Sequence, residues 1–151
     1  MPSRYSRRLV VDDFATMARI MKVLAQRLGF KQVDICHDGE TALRLVRERD
    51  YAVVLCDIKM HPIGGVTFTR LLRAEPRGRN CVLLLTTADR EAAAAVASAG
   101  ILHLIDGLIL KPFNSQDLDA MLRDIAARRI SAGSTGPFEP RPMPPAPRLH
   151  S

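Results

Sequence analysis

The chain has 151 residues, 47% apolar and 25% charged, with a formal net charge of +6. That size and balance suit one globular domain with its own core plus a tail, and they argue against a second folded domain or a required disulfide or metal staple. The basic residues are dispersed, at Arg7 and Arg8, residues 44–49, residues 70–79, and Arg128 and Arg129, so no grouped face for nucleic acid is expected.

From residue 5 to residue 129, short β-branched or leucine-rich runs alternate with longer stretches of helical spacing, the pattern of a parallel sheet covered by helices on both faces. Leu9, Val10 and Val11 form the first strand and lead into Asp12 and Asp13. Phe14, Met17, Met21, Leu24 and Leu28 then recur at three and four residues, which predicts one apolar helical stripe ended by Gly29. Residues 33–36 predict a second strand, and Asp38-Gly39 turns the chain into a helix carrying Ala42, Leu43 and Val46.

The run 52–56 is continuously apolar, as expected of a central strand buried on both faces, and it stops at Asp57. Pro62, Gly64 and Gly65 predict a loop; Phe68, Leu71 and Leu72 predict a third helix ending near Glu75-Pro76. Residues 81–85 form the fourth strand and close at Thr86-Thr87. The alanine-rich stretch 89–99 has high helix propensity, a thin apolar face and Gly100 as a stop, so this helix could shift cheaply. Residues 108–110 give a fifth strand before Pro112. Asn114 is placed to cap a last helix, with Asp117 near its positive end and Leu118, Met121, Leu122 and Ile125 on one side.

From Ser131 onward the sequence turns to Ser, Gly and Thr and then to Pro137, Pro140, Pro142, Pro144, Pro145 and Pro147. The expected organisation is therefore a domain over 1–130 and a Pro-rich disordered tail over 131–151, a solvated terminus rather than a docking ligand. Cys36, Cys56 and Cys81 are odd in number, far apart and set among apolar residues, which predicts buried, reduced thiols. With no signal-peptide pattern at residues 1–8 and no uncharged apolar run of membrane-spanning length, a cytoplasmic location without membrane insertion is expected.

In an open parallel sheet, functional groups collect beyond the carboxyl ends of the strands. Here Asp12 and Asp13 follow the first strand, Asp57 the third, Thr86 and Thr87 the fourth and Lys111 the fifth. If the first, third, fourth and fifth strands lie side by side, three carboxylates, a hydroxyl and an ammonium share one edge. Three neighbouring carboxylates need a compensating cation, and oxygen-only ligands suit magnesium. A carboxylate beside a metal can act as nucleophile toward phosphorus, and Lys111 suits a phosphate oxygen. Taken singly, each residue reads as a cap, a turn or a solvated side chain; their coincidence at four strand ends is the signal.

The segments VVDD, VVLCD, LLLTT and LKPF, in this order and spacing, resemble the receiver domain of response regulators over residues 7–129, and the opening from Leu9 to Met17 is similar to the single-domain chemotaxis regulators. The resemblance implies a flavodoxin-like, doubly wound five-stranded parallel sheet with five helices. It implies Asp57 as phosphoacceptor, Asp12 and Asp13 with Asp57 as the Mg2+ site, a metal contact from the backbone carbonyl of Lys59, Lys111 as the phosphate-contacting lysine and Thr86 as the switch hydroxyl, preferred over Thr87. The partners it implies are a sensor histidine kinase or phosphotransfer protein and a downstream protein target. The chain departs from the family in a loop one residue longer after Asp57, a longer stretch between Gly100 and Lys111, and Leu108 where an aromatic residue usually stands. The alternatives considered were a phosphorylation-independent binding module and a strand-end-aspartate phosphohydrolase; the adjacent aspartates and the lack of a cap-sized insertion argue against the latter.

Overall fold

In the computed structural model, which describes residues 6–132, the apolar runs pair as one parallel sheet. The strands are β1 (Arg7–Val11), β2 (Gln32–Cys36), β3 (Tyr51–Asp57), β4 (Val82–Thr87) and β5 (Gly107–Leu110), in the spatial order β2-β1-β3-β4-β5. The helices are α1 (Ala15–Arg27), α2 (Gly39–Glu48), α3 (Gly65–Ala74), α4 (Arg90–Ser98) and α5 (Ser115–Ser131). The expected doubly wound five-stranded sheet is thus observed, and the order sets β1, β3, β4 and β5 side by side.

Because side chains alternate across a strand, the central runs feed two cores. Leu9, Val11, Val54, Cys56, Leu83 and Leu85 face the layer of α2, α3 and α4, meeting Ala42, Val46, Phe68, Leu72 and Val96. Val10, Val53, Leu55, Val82 and Leu84 face α1 and α5, meeting Ala18, Met21, Ala25, Leu118, Leu122 and Ile125. Covering both faces explains why these strands read as unbroken apolar runs rather than as alternating ones.

The helix ends follow local chemistry. Gly29 (φ 89°) and Gly100 (φ 73°) adopt the left-handed conformation that stops α1 and α4. Asp38 caps α2 by accepting from the Thr41 amide at 2.7 Å. Asn114 and Asp117 form a reciprocal capping box at α5. α4 is held least, with Val96 as its single buried residue.

The longer stretch between Gly100 and Lys111 holds a short 3-10 turn, Leu102–Leu104, which drops Ile101 and Ile105 into the core before β5 starts. Helix α5 continues through Ser131, the first residue of the tail expected over 131–151, and the Pro-rich part of that tail lies outside the described residues, from 133 onward. All three cysteines are free and buried; burial raises the Cys81 thiol, pushes Cys36 up to about 12 and Cys56 well above its ordinary value. No helix among the described residues is long and apolar enough to cross a membrane.

Candidate functional site

The rim at the carboxyl ends of the strands is pinned by backbone bonds between neighbours. The Asp12 amide donates to Cys36 of β2 at 3.1 Å, Ile58 to Thr86 of β4 at 2.9 Å, and Lys111 to Thr87 at 2.8 Å. Asp12 is fixed further: its Oδ1 accepts from the Phe14 amide at 2.9 Å, and His37 Nδ1 donates to its carbonyl oxygen at 3.0 Å. Behind Asp57, the Gly65 amide donates to the Ile58 carbonyl at 2.7 Å, and a Cβ at Gly65 would lie 2.7 Å from Ile58 Cα and 2.9 Å from the Asp57 carbonyl oxygen. The start of α3 therefore closes onto the loop after Asp57 because residue 65 has no side chain.

On this frame Asp12, Asp13 and Asp57 converge, with one carboxylate oxygen of each within 4.8 Å of the others. Asp12 and Asp57 are buried, and Asp13 is exposed. Lys111 reaches between them, its Nζ 3.0 Å from Asp12 Oδ2 and 3.2 Å from Asp57 Oδ1. Three carboxylates against one ammonium leave two negative charges uncompensated when all are ionised. Burial raises the Asp57 carboxyl above its ordinary range; Lys111 opposes that rise, and Asp12 and Asp13 add to it. An all-oxygen donor set with surplus negative charge fits a hard divalent cation.

The two threonines at the end of β4 differ in role. Thr86 stands across the ladder from Asp57, fully buried, and its hydroxyl has no hydrogen-bond partner. The Thr87 hydroxyl accepts from the Asp89 amide at 3.1 Å, at the entrance to α4. The Lys59 side chain pairs with Asp89, with its Nζ 2.6 Å from Asp89 Oδ2. Leu108, in the place of the family aromatic, is buried in β5 opposite Leu85 and lines a groove between α4 and α5.

Sequence reasoning did not single out Asp89 or His37. Asp89 carried a signal, as an acidic residue at the start of a helical stretch, the N-cap position that it occupies. His37 carried none, because its contact with Asp12 depends on β2 lying beside β1.

The comparisons with known proteins agree with this geometry. A family model described as the response regulator receiver domain matches residues 9–123. The chain is 35% identical over 122 residues to the chemotaxis protein CheY-3 of Vibrio cholerae, spanning 80% of this chain and 91% of that protein. It is 34% identical to the chemotaxis protein CheY of Pseudomonas aeruginosa, spanning 80% and 95%. Among solved structures, the response regulator TrrA of Thermotoga maritima, crystallised in complex with Mg(2+)-BeF, superposes with a TM-score of 0.68 at 26% identity, covering 80% of this chain and 98% of that one. With the strand order, the acidic rim and these relatives in agreement, the chain belongs to the response regulator receiver domain family.

Proposed function

We propose that this receiver domain takes a phosphoryl group on Asp57 from a histidine kinase or phosphotransfer protein and signals in the cytoplasm through protein contacts. The observation that carries the reading is the Lys111 ammonium bridging Asp12 and Asp57 inside a cluster of three carboxylates. Asp12, Asp13 and Asp57, with the backbone carbonyl of Lys59, are the groups that would hold Mg2+. When bound, the ion supplies neutralisation of charge on the phosphoryl oxygens.

The chemistry of the chain's own residues follows. A carboxylate oxygen of Asp57 forms the new P–O bond while the P–N bond of a phosphohistidine donor breaks, its electron pair leaving with the imidazole. Lys111 holds the nucleophile oriented before transfer and pairs with a phosphoryl oxygen after it. In the reverse phase water attacks phosphorus, the acyl phosphate bond breaks, and its electron pair returns to the Asp57 carboxylate. Turnover is confined to this one group, so the domain is a switch rather than a conventional enzyme.

Thr86, opposite Asp57 and with an unpartnered hydroxyl, is the proposed donor to the new phosphoryl group; Thr87, bonded to Asp89, is the alternative that would draw on α4 directly. Comparing Thr86→Val with Thr87→Val for loss of phosphorylation-dependent change in α4 separates the two. A chemotaxis target is the finer reading supported by the two CheY relatives. The decisive experiment for the function is intact mass after treatment with acetyl phosphate and Mg2+. The wild type should gain one phosphoryl mass and Asp57→Ala none, whereas no gain on the wild type would favour a phosphorylation-independent binding module.

A further inference from the structure

Two apolar stretches of surface stand out among the described residues. One runs along α1, where Phe14, Ile20 and Val23 are exposed. The other is the groove between α4 and α5, floored by Leu108 and Leu110 and walled by Ala93, Ala94, Ala120 and Met121. Their charges differ. Arg19 and Arg27 line the α1 surface, whereas the groove carries Arg90 on its α4 wall and Asp117 and Asp124 on its α5 wall. Asp124 is paired with Arg128 at 3.1 Å. Asp117 accepts from the Asn114 amide at 3.1 Å, and among the described residues neither it nor Arg90 has an ion-pair partner. Arg90 and Asp117 belong to the first turns of α4 and α5, so they stand on opposite walls at one end of the groove.

We propose that this groove is occupied by the chain's own tail, residues 137–143, with Phe138 over Leu108 and Met121 and with Glu139 and Arg141 against Arg90 and Asp117. The lengths fit. Measured back along α5 from Ser131, Met121 lies about 15 Å away and Asp117 about 21 Å away. The chain from Ser131 to Phe138 spans about 22 Å in polyproline conformation, which covers the first distance and leaves room for a reversal at Gly133 or Gly136. The span to Arg141 is about 31 Å, enough for the second.

Composition alone favours a solvated terminus, because the tail has too few apolar groups to fold by itself; a preformed groove removes that requirement. Charge selects this groove over the α1 surface. Arg141 and Arg148 would be repelled by Arg19 and Arg27, whereas Glu139 and Arg141, of opposite sign and two residues apart, meet the opposite signs of Arg90 and Asp117. Size selects it as well: with Leu108 in place of an aromatic residue and alanines along α4, the groove takes an aromatic ring from outside, and an aromatic ring carries a large apolar area. The tether does the rest. A short linker holds its two ends at an effective concentration on the order of millimolar, so a contact too weak to retain a separate peptide is populated within one chain. Docking needs neither Mg2+ nor a modified Asp57, and a protein partner that uses the groove must first displace the tail.

The test places a nitroxide on the full-length Met143→Cys chain, whose three native thiols are buried, and reads paramagnetic broadening of backbone amides without Mg2+ or phosphodonor. A tail docked for half the time or more should relax the amides of Ala93, Ala94, Leu110 and Met121 at least about threefold faster than those of Ile20 and Val23 on α1. Adding Phe138→Ala should abolish the contrast. Arg90→Glu should weaken it, and combining Arg90→Glu with Glu139→Arg should restore it, which a loss of folding in either variant would not do. A mixture of nitroxide-bearing chains with isotope-labelled, nitroxide-free chains should show no broadening at the groove. Even broadening over the surface, broadening centred on α1, a contrast that survives Phe138→Ala, or broadening in the mixture, which would make the occupant a second copy, overturns the proposal.

Discussion

The two ends of the sheet each bury an aspartate at a junction of strands, and they treat it in opposite ways. At the amino end, Asp106 sits just before β5 and is saturated: Arg73 Nη2 and Arg129 Nη2 each lie 3.1 Å from it, and the Leu83 amide donates to Oδ2 at 2.8 Å. The arginines are engaged elsewhere too. Arg73 donates to the carbonyls of Leu104 and Cys81, both at 2.8 Å, and Arg129 to that of Asn80 at 2.6 Å. One carboxylate there faces two guanidinium groups, whereas at the carboxyl end three carboxylates share the single ammonium of Lys111. Full pairing locks α3, β4, β5 and α5 together. A deficit of positive charge leaves a place for something that is not part of the chain.

The comparison can be broken most sharply at the saturated end. Replacing Asp106 with Ala leaves two largely buried guanidinium groups without their carboxylate, and the loss in unfolding free energy should be about 3–5 kcal/mol. Urea unfolding checks this; a loss no larger than that of a surface substitution would show that the arginine cluster holds nothing together. At the deficient end the expected effect of a cation has the opposite sign. Saturating Mg2+ should stabilise the wild type, by about 2.7 kcal/mol when the ion is at a hundredfold its Kd. Asp13→Asn, which removes an exposed carboxylate from the cluster, should shrink that gain in the same urea series.

A smaller effect is expected from Gly65→Ala. The new methyl would meet the backbone of Asp57 and Ile58, so a cost of about 1–3 kcal/mol from overpacking is expected, together with slower phosphoryl uptake measured by intact mass. The smallest change concerns Asp57 itself. Its carboxyl is held above the ordinary range, so the folded chain binds that proton more tightly than the unfolded chain does. The ionised carboxylate thus works against folding, by nothing below the unfolded value near ~3.9 and by an increasing amount as pH rises through the folded value. Asp57→Asn should therefore raise Tm modestly at neutral pH without Mg2+, and the gain should vanish in acid. A variant that lowers Tm at neutral pH would mean that Lys111 already satisfies the site.

Much of the fold was legible because its signals are local. Unbroken apolar runs marked β1, β3 and β4, and Gly29, Gly100 and Asn114 marked helix ends without any tertiary information. The acidic rim was legible because strand ends converge once the strands are parallel, so Asp12, Asp13, Asp57 and Lys111 needed only the strand order. The Asp106 clamp was not legible: Arg73, Asp106 and Arg129 are distant in sequence, and nothing about each alone separates it from a surface charge. Asp89 was read only as the start of an alanine-rich stretch, since its pairing with Lys59 depends on how a loop turns after β3. Interactions between side chains on different loops are the part that sequence pattern carries least.

The surplus of negative charge at the carboxyl rim is tested most directly by titrating Mg2+ into the protein while following backbone amides by NMR. One saturating transition should appear at Asp13, Asp57, Ile58 and Lys59, with Asn80, Leu83 and Asp106 unmoved at the far end of the sheet. No saturable change at the rim, or equal changes at both ends, would contradict the reading of these carboxylates as a cation and phosphoryl site.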